Sequence, residues 1–259
     1  MNPLDLSLAQ FHAFVLVFFR IAATLMTAPF FSARTTPSQV TIGLSLLLSA
    51  AILPHSSIHA PDLHGPGQLA LAAGMETAVG LMFGLTATFI FGAASLAGAL
   101  VDNELGLGLA NILDPITNDQ VSLVGQFKFL FAMLLFLLLD GHHFILSAIT
   151  ASFRDVPLLG LHFTNPLGSF IADTLFTDLL SSAVRFAAPA LAAMFLVTVA
   201  LAFTARAVPE MNLFLHGFSV RVGLGLAVLA ASIPAFAWAF AKLWHKAEGQ
   251  LETLLRMMA

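Results

Sequence analysis

The chain has 259 residues, of which 59% are hydrophobic and only 9% charged, with a formal net charge of -4 and no cysteine. At a mean hydropathy of +0.94 there is too little polar surface to cover a water-soluble body, so lipid or other apolar subunits must solvate it. The same composition excludes disulfides, thiolate metal sites and a cysteine nucleophile, and without a long basic run nucleic acid is excluded as a partner.

Residues 1–10 carry Asp5 and no Lys or Arg, so the basic stretch of a cleavable signal peptide is missing and the first apolar segment is expected to be retained. At about 1.5 Å per residue, the stretch 11–31 is long enough to cross roughly 30 Å of hydrocarbon. Only His12 and Arg20 interrupt it, and Arg34, Pro37 and Ser38 predict a turn beyond it. Residues 40–53 fall short of the roughly 20 residues of a span and read as tilted, re-entrant or covered by protein, ending at Pro54. An exposed loop follows over 55–68, with Pro61, Asp62, Gly65, Pro66, Gly67 and the histidines His55, His59 and His64.

The run 69–101 is apolar for more than thirty positions, with Glu76 within it and small residues at Gly74, Gly80, Gly84, Gly92 and Gly98. Gly80 and Gly84 form a GxxxG pair suited to close helix contact. Residues 102–126 read as polar and turn-rich, from Asp102 and Glu104 to Asp114-Pro115. Two apolar runs, 127–139 and 144–153, flank Asp140-Gly141-His142-His143, which fits either a hairpin turn or a polar break inside one helix.

After a loop at 154–165, a short segment 167–180 leads into 184–203, which carries Arg185 and Pro189. Arg206, Pro209 and Glu210 interrupt the chain before the last apolar run, 211–240, where Asn212, Gly217 and Arg221 suit tight helix packing. The tail 242–259 is amphipathic, with Leu251, Leu254 and Leu255 on one face, and reads as interfacial or partner-bound. With no domain linker and no solenoid period, one helical membrane domain over 1–259 is expected. Its fold class is all-α, a polytopic integral membrane protein. Lys242, Lys246 and Arg256 favour a cytoplasmic C-terminus, while the loop 55–68 favours the outside. Six simple crossings violate that bias, so either a segment fails to cross or one apparent run is a hairpin.

Ionisable groups inside apolar runs cost at least about 2.5 kcal/mol each to insert, which singles out Arg20, Glu76, Arg185 and Arg221. They read as intramembrane ion pairs or subunit contacts in preference to a proton relay. His55, His59 and His64 read as solvated loop residues, and Asp140, His142 and His143 as a polar cap or turn, so no metal site is expected. Ser95, Ser147 and Ser181 lack a nucleophile elbow, and no catalytic residue or enzyme activity is expected.

The most unusual segment is GLGLANILDPITNDQ, 106–120, where glycines alternate with leucines before a helix-stopping Asp-Pro. Irregular backbone at membrane depth must be enclosed by protein or line a cavity. A constriction or plug is therefore favoured over an ordinary surface loop.

The order of these features resembles the FliR-type export-gate subunits of flagellar and injectisome type III secretion systems, over most of the chain. The resemblance is carried by Arg20 through Ala28-Pro29-Phe30 with Pro37, Glu76 with Gly80 and Gly84, Gly106 to Asp114-Pro115, Asp140-Gly141-His142, and Pro209, Asn212 and Gly217-Phe218. Asn103-Glu104 and Ser219 depart from it. It implies long, kinked helical hairpins assembled with FliP-type and FliQ-type subunits, and an FlhB-type subunit, into a non-catalytic helical gate for unfolded export substrates in the bacterial inner membrane. No cofactor is implied. It also implies a pore plug at Gly106, Gly108, Leu109, Ile112, Asp114 and Pro115, with Leu109 and Ile112 as the apolar seal. The plain C-terminal tail favours the flagellar branch. An ion-coupled secondary transporter using Glu76 is the alternative.

Overall fold

The computed structural model describes residues 3–32, 36–55, 63, 65–108, 122–160, 168, 170–207 and 213–258. Among these every regular element is a helix: α1 (Pro3–Thr27), α2 (Ser38–Ile52) with a single 3-10 turn at Leu53–His55, α3 (Pro66–Leu105), α4 (Leu123–Leu138), α5 (Gly141–Asp155), α6 (Phe176–Ala207) and α7 (Leu213–Met258). Helices suit an apolar chain because each satisfies its own backbone without water. The hydroxyls obey the same constraint. Thr24, Ser45, Ser49 and Thr86 are buried, and each donates to the carbonyl four residues back.

Four helices are long and apolar enough to cross a membrane, and the broken pair α4 and α5 raises the number to five. At 15 residues α2 stays below that length. The apolar segments therefore outnumber the spans among the described residues.

Several boundaries differ from those expected. Asp102 and Glu104 belong to α3, which runs to Leu105, and residues 123–126 already belong to α4, so both ends of the stretch 102–126 are helical and not turns. Asp140, at φ 54, separates α4 from α5. The segments 167–180 and 184–203 are joined, because a π-helical turn at Phe170–Leu175 runs straight into α6 and Pro189 lies inside that helix. Likewise α7 passes through Pro234 and Lys242 to Met258 without a break. Charged residues mark a change of surroundings, not of backbone, because the helical ladder closes whatever the side chains are.

The chain divides into two compact units, one of Met1–Phe89, Asp140–Phe176 and His245–Ala259, the other of Ile90–Leu139 and Thr177–Trp244. In the first, Val79 and Phe83 pack with Ala148, Val156, Leu251, Leu254, Leu255 and Met258. The tail leucines thus cover their own chain, where a membrane surface or a partner was expected. In the second, aromatic rings fill the interior: Phe91 lies 5.5 Å from Phe136 and 6.0 Å from Phe240, and Phe186 lies 5.0 Å from Phe236. Edge-on pairs of this kind add to what area burial alone supplies.

Candidate functional site

Three features stand out within the two units: a buried ion pair, a set of helix contacts at glycine, and the base of the segment that begins at Gly106.

Arg20 on α1 and Glu76 on α3 are each 1% exposed, and Arg20 Nε donates to Glu76 Oε2 at 2.6 Å. Nη1 of Arg20 donates to the carbonyls of Ser152 and Val156 at 3.0 and 2.9 Å, and the guanidinium lies 4.5 Å from the Phe153 ring centre. Those carbonyls close the C-terminal end of α5, where helices leave acceptors unpaired and favour a cation. Glu76 Oε1 accepts from the backbone N–H of Leu159 at 3.0 Å. Leu159 has φ 63, a left-handed conformation costly for a residue with a β-carbon, so the carboxylate holds the turn after α5 in place. One ion pair thus ties α1, α3 and the exit of α5 together.

The helices α1 and α3 touch where α3 has no side chains. A β-carbon at Gly80 would collide with the carbonyl of Arg20 and with Ala23, and one at Gly84 with Thr27 and Thr24. Thr88 Oγ1 donates to the Thr27 carbonyl at 2.8 Å, completing the seam. In the other unit the close approaches are Gly98 against Gly125, and Gly225 against Leu105 and Met194. Gly217 is different: among the described residues a β-carbon there would meet only Leu201, at an ordinary 3.8 Å. The tight contact on α7 therefore lies two helical turns further on, at Gly225.

Gly106 ends α3. At φ 78 it takes up the left-handed position after the helix, its N–H donates to Asn103 O at 3.1 Å, and the N–H of Leu107 donates to Asp102 O at 3.3 Å. This pairing is the Schellman arrangement that glycine permits. The Asp102 side chain, 4% exposed, accepts from the N–H of Val124 at 3.5 Å, and Ser122 Oγ accepts from Gly125 at 2.8 Å to cap α4. The chain leaves at Leu105 and returns at Ser122 to the same place, with Gly98 packed on Gly125 beneath. Gly108 stands next to the Asn103 side chain. Leu109, Ile112, Asp114, Pro115 and Asn212, together with His59, His64 and the side chain of His55, lie outside the described residues.

Arg185 is exposed on α6 and Arg221 is half-buried on α7, and neither forms an ion pair with a described residue. Of the four charges picked out by the sequence, Arg20 and Glu76 thus pair with each other. Lys128 was overlooked, hidden between Phe127 and Phe129 in an apolar run. It is 3% exposed, its Nζ donates to Phe186 O at 3.1 Å, and it lies 5.3 Å from the Phe236 ring centre. Asp140 makes no cap hydrogen bond to α5, so the expected capping role is not what its carboxylate does.

Apolar helices that satisfy their own polar groups, with charge buried only where it is paired or hydrogen-bonded, define an all-α polytopic membrane protein. The family described as bacterial export proteins, family 1, matches residues 11–247. The chain is 34% identical to the flagellar biosynthetic protein FliR of Bacillus subtilis (strain 168), over 85% of either protein. It is 29% identical to the FliR proteins of Escherichia coli (strain K12), over 84% of this chain and 83% of that protein, and of Aquifex aeolicus (strain VF5), over 85% and 84%. The chain belongs to this export-protein family, the FliR family.

Proposed function

We propose that the chain is a non-catalytic subunit of the flagellar protein-export apparatus in the bacterial inner membrane, where it helps to form and close the pore for unfolded substrates. The observation that carries this reading is the family match across residues 11–247, together with relatives that bear the name of a flagellar biosynthetic protein. FliP-type, FliQ-type and FlhB-type subunits are its proposed partners.

The geometry supports a closing role for 106–120. The segment starts from a Schellman turn and ends at a capped helix, and the hydrogen bond from Val124 to Asp102 holds its two ends together. Gly106, at φ 78, and Gly108 place glycine at the start of that segment. Leu109, Ile112, Asp114 and Pro115 supply the body of the proposed plug. Both oxygens of Glu76 are engaged within the fold, so nothing favours the ion-coupled transporter.

Removing the gene from its native host should abolish filaments and swimming, and a plasmid copy should restore them. A copy lacking residues 106–120 should assemble but let ions leak across the membrane. Normal filaments in the deletion strain overturn the export reading. An unchanged ion permeability in the loop deletion overturns the plug alone.

A further inference from the structure

We propose that Asp140, His142 and His143 form a binding site for a zinc-type transition-metal dication at the turn that opens α5. One ligand atom from each residue lies within 4.8 Å of the other two. His143 Nδ1 and Asp140 Oδ1 stand 3.3 Å apart. That separation is one edge of a tetrahedron whose metal bonds are about 2.0–2.1 Å long. Two imidazoles and a carboxylate, with water in the fourth position, are a donor set such ions accept.

Three further observations separate this cluster from an ordinary polar turn. First, Asp140 takes φ 54, and its carboxylate does not cap α5 but faces His143 Nδ1, so the left-handed backbone sets a carboxylate beside an imidazole. Second, His142 Nδ1 is shielded from solvent and has no hydrogen-bond partner among the described residues, an arrangement that a polar turn does not explain. Third, the ring centres of His142 and His143 are 4.2 Å apart and that of Phe30 lies 6.4 Å from His142, so the two imidazoles stand side by side with an aromatic neighbour. The side chains of His143 and Asp140 are 72% and 78% exposed, which leaves the ion a path from water and lets both side chains turn to close the triangle. A second close pair of histidine and carboxylate, His245 and Glu248 on α7 at 2.9 Å, has no third ligand among the described residues and serves as the internal comparison.

The test uses the full chain, purified in detergent without a histidine tag, stripped with a chelator and titrated with Zn2+ by calorimetry. One equivalent should bind with a micromolar Kd, and Co2+ in its place should give the visible absorption of a four-coordinate ion. Asp140→Asn and His143→Gln should each weaken Zn2+ binding at least about tenfold. His245→Gln should leave it unchanged. Circular dichroism of each variant checks that the helices are retained. No saturable binding to the parent chain overturns the site, as does equal binding by the Asp140→Asn/His143→Gln double variant. Because binding is read on the isolated protein, failure here leaves the export reading standing, and the reverse also holds.

Discussion

The hydroxyl of Thr27 occupies the space that a β-carbon on Gly84 would need. Such a β-carbon would also lie 2.9 Å from the carbonyl of Thr24, which belongs to a helix backbone and cannot step aside. Gly84→Val should therefore force α1 and α3 apart and destabilise the first unit by about 1–3 kcal/mol, the usual cost of overpacking. Gly217→Ala should change stability by less than about 0.5 kcal/mol, because among the described residues only Leu201 is near. Unfolding in mixed detergent micelles, followed by circular dichroism, measures both.

Arg20 and Glu76 can be tested by asking what each does without the other. Glu76→Ala leaves a guanidinium buried with no counter-charge, which should cost about 3–5 kcal/mol. Replacing both residues by apolar ones of similar volume, as in Arg20→Met/Glu76→Leu, should recover most of that loss. The same unfolding titration, run on the single and double variants, separates a structural pair from a functional charge.

Lys128 faces a carbonyl oxygen and the face of a ring, both electron-rich. Lys128→Met should be tolerated, since it removes a buried charge together with its modest contacts. Lys128→Glu sets a carboxylate against Phe186 O and the Phe236 ring, and should lose at least about 3 kcal/mol. Expression yield and thermal unfolding of the two variants should diverge accordingly.

Leu254 is 1% exposed in the core that also holds Val79 and Phe83. Leu254→Ala should cost about 2–5 kcal/mol. Glu252, exposed on the same helix, should tolerate Ala within about 0.5 kcal/mol. A tail serving only as a membrane or partner contact would give little effect at either position in the purified chain.

Asp102 holds the returning end of the 106–120 segment through Val124. Asp102→Ala should weaken this join by about 1 kcal/mol, comparable to losing a helix cap, and speed amide hydrogen exchange at residues 123–125. Under the gate reading, the same variant in cells should raise ion leakage without preventing assembly.

The sequence revealed those parts of the structure that depend on the energetics of single residues. Arg20 and Glu76 stood out because charge is expensive in hydrocarbon, and Gly80 and Gly84 because their spacing leaves a bare strip on one helix face. What escaped depended on partners far along the chain. Lys128 was concealed by its phenylalanine neighbours, and its reason for burial is a carbonyl 58 residues away. Gly125 gave no signal by itself, since the room for a β-carbon there is taken by the Ser122 side chain and by the carbonyl of Ser95 on α3. Arg185 and Arg221 looked like Arg20 in composition, yet no carboxylate among the described residues reaches them. The tail was misread for a related cause: an apolar stripe does not say which surface it covers, and this one covers α3.

That last contact sets an order in time. Val79 and Phe83 are made early, while Leu251, Leu254, Leu255 and Met258, which complete their core, leave the ribosome long after them. Throughout that interval the surface on α3 must be shielded by something other than its final neighbours. A cell making this protein therefore has to chaperone a half-built helix face, and premature termination anywhere before residue 251 leaves that face open to aggregation and proteolysis.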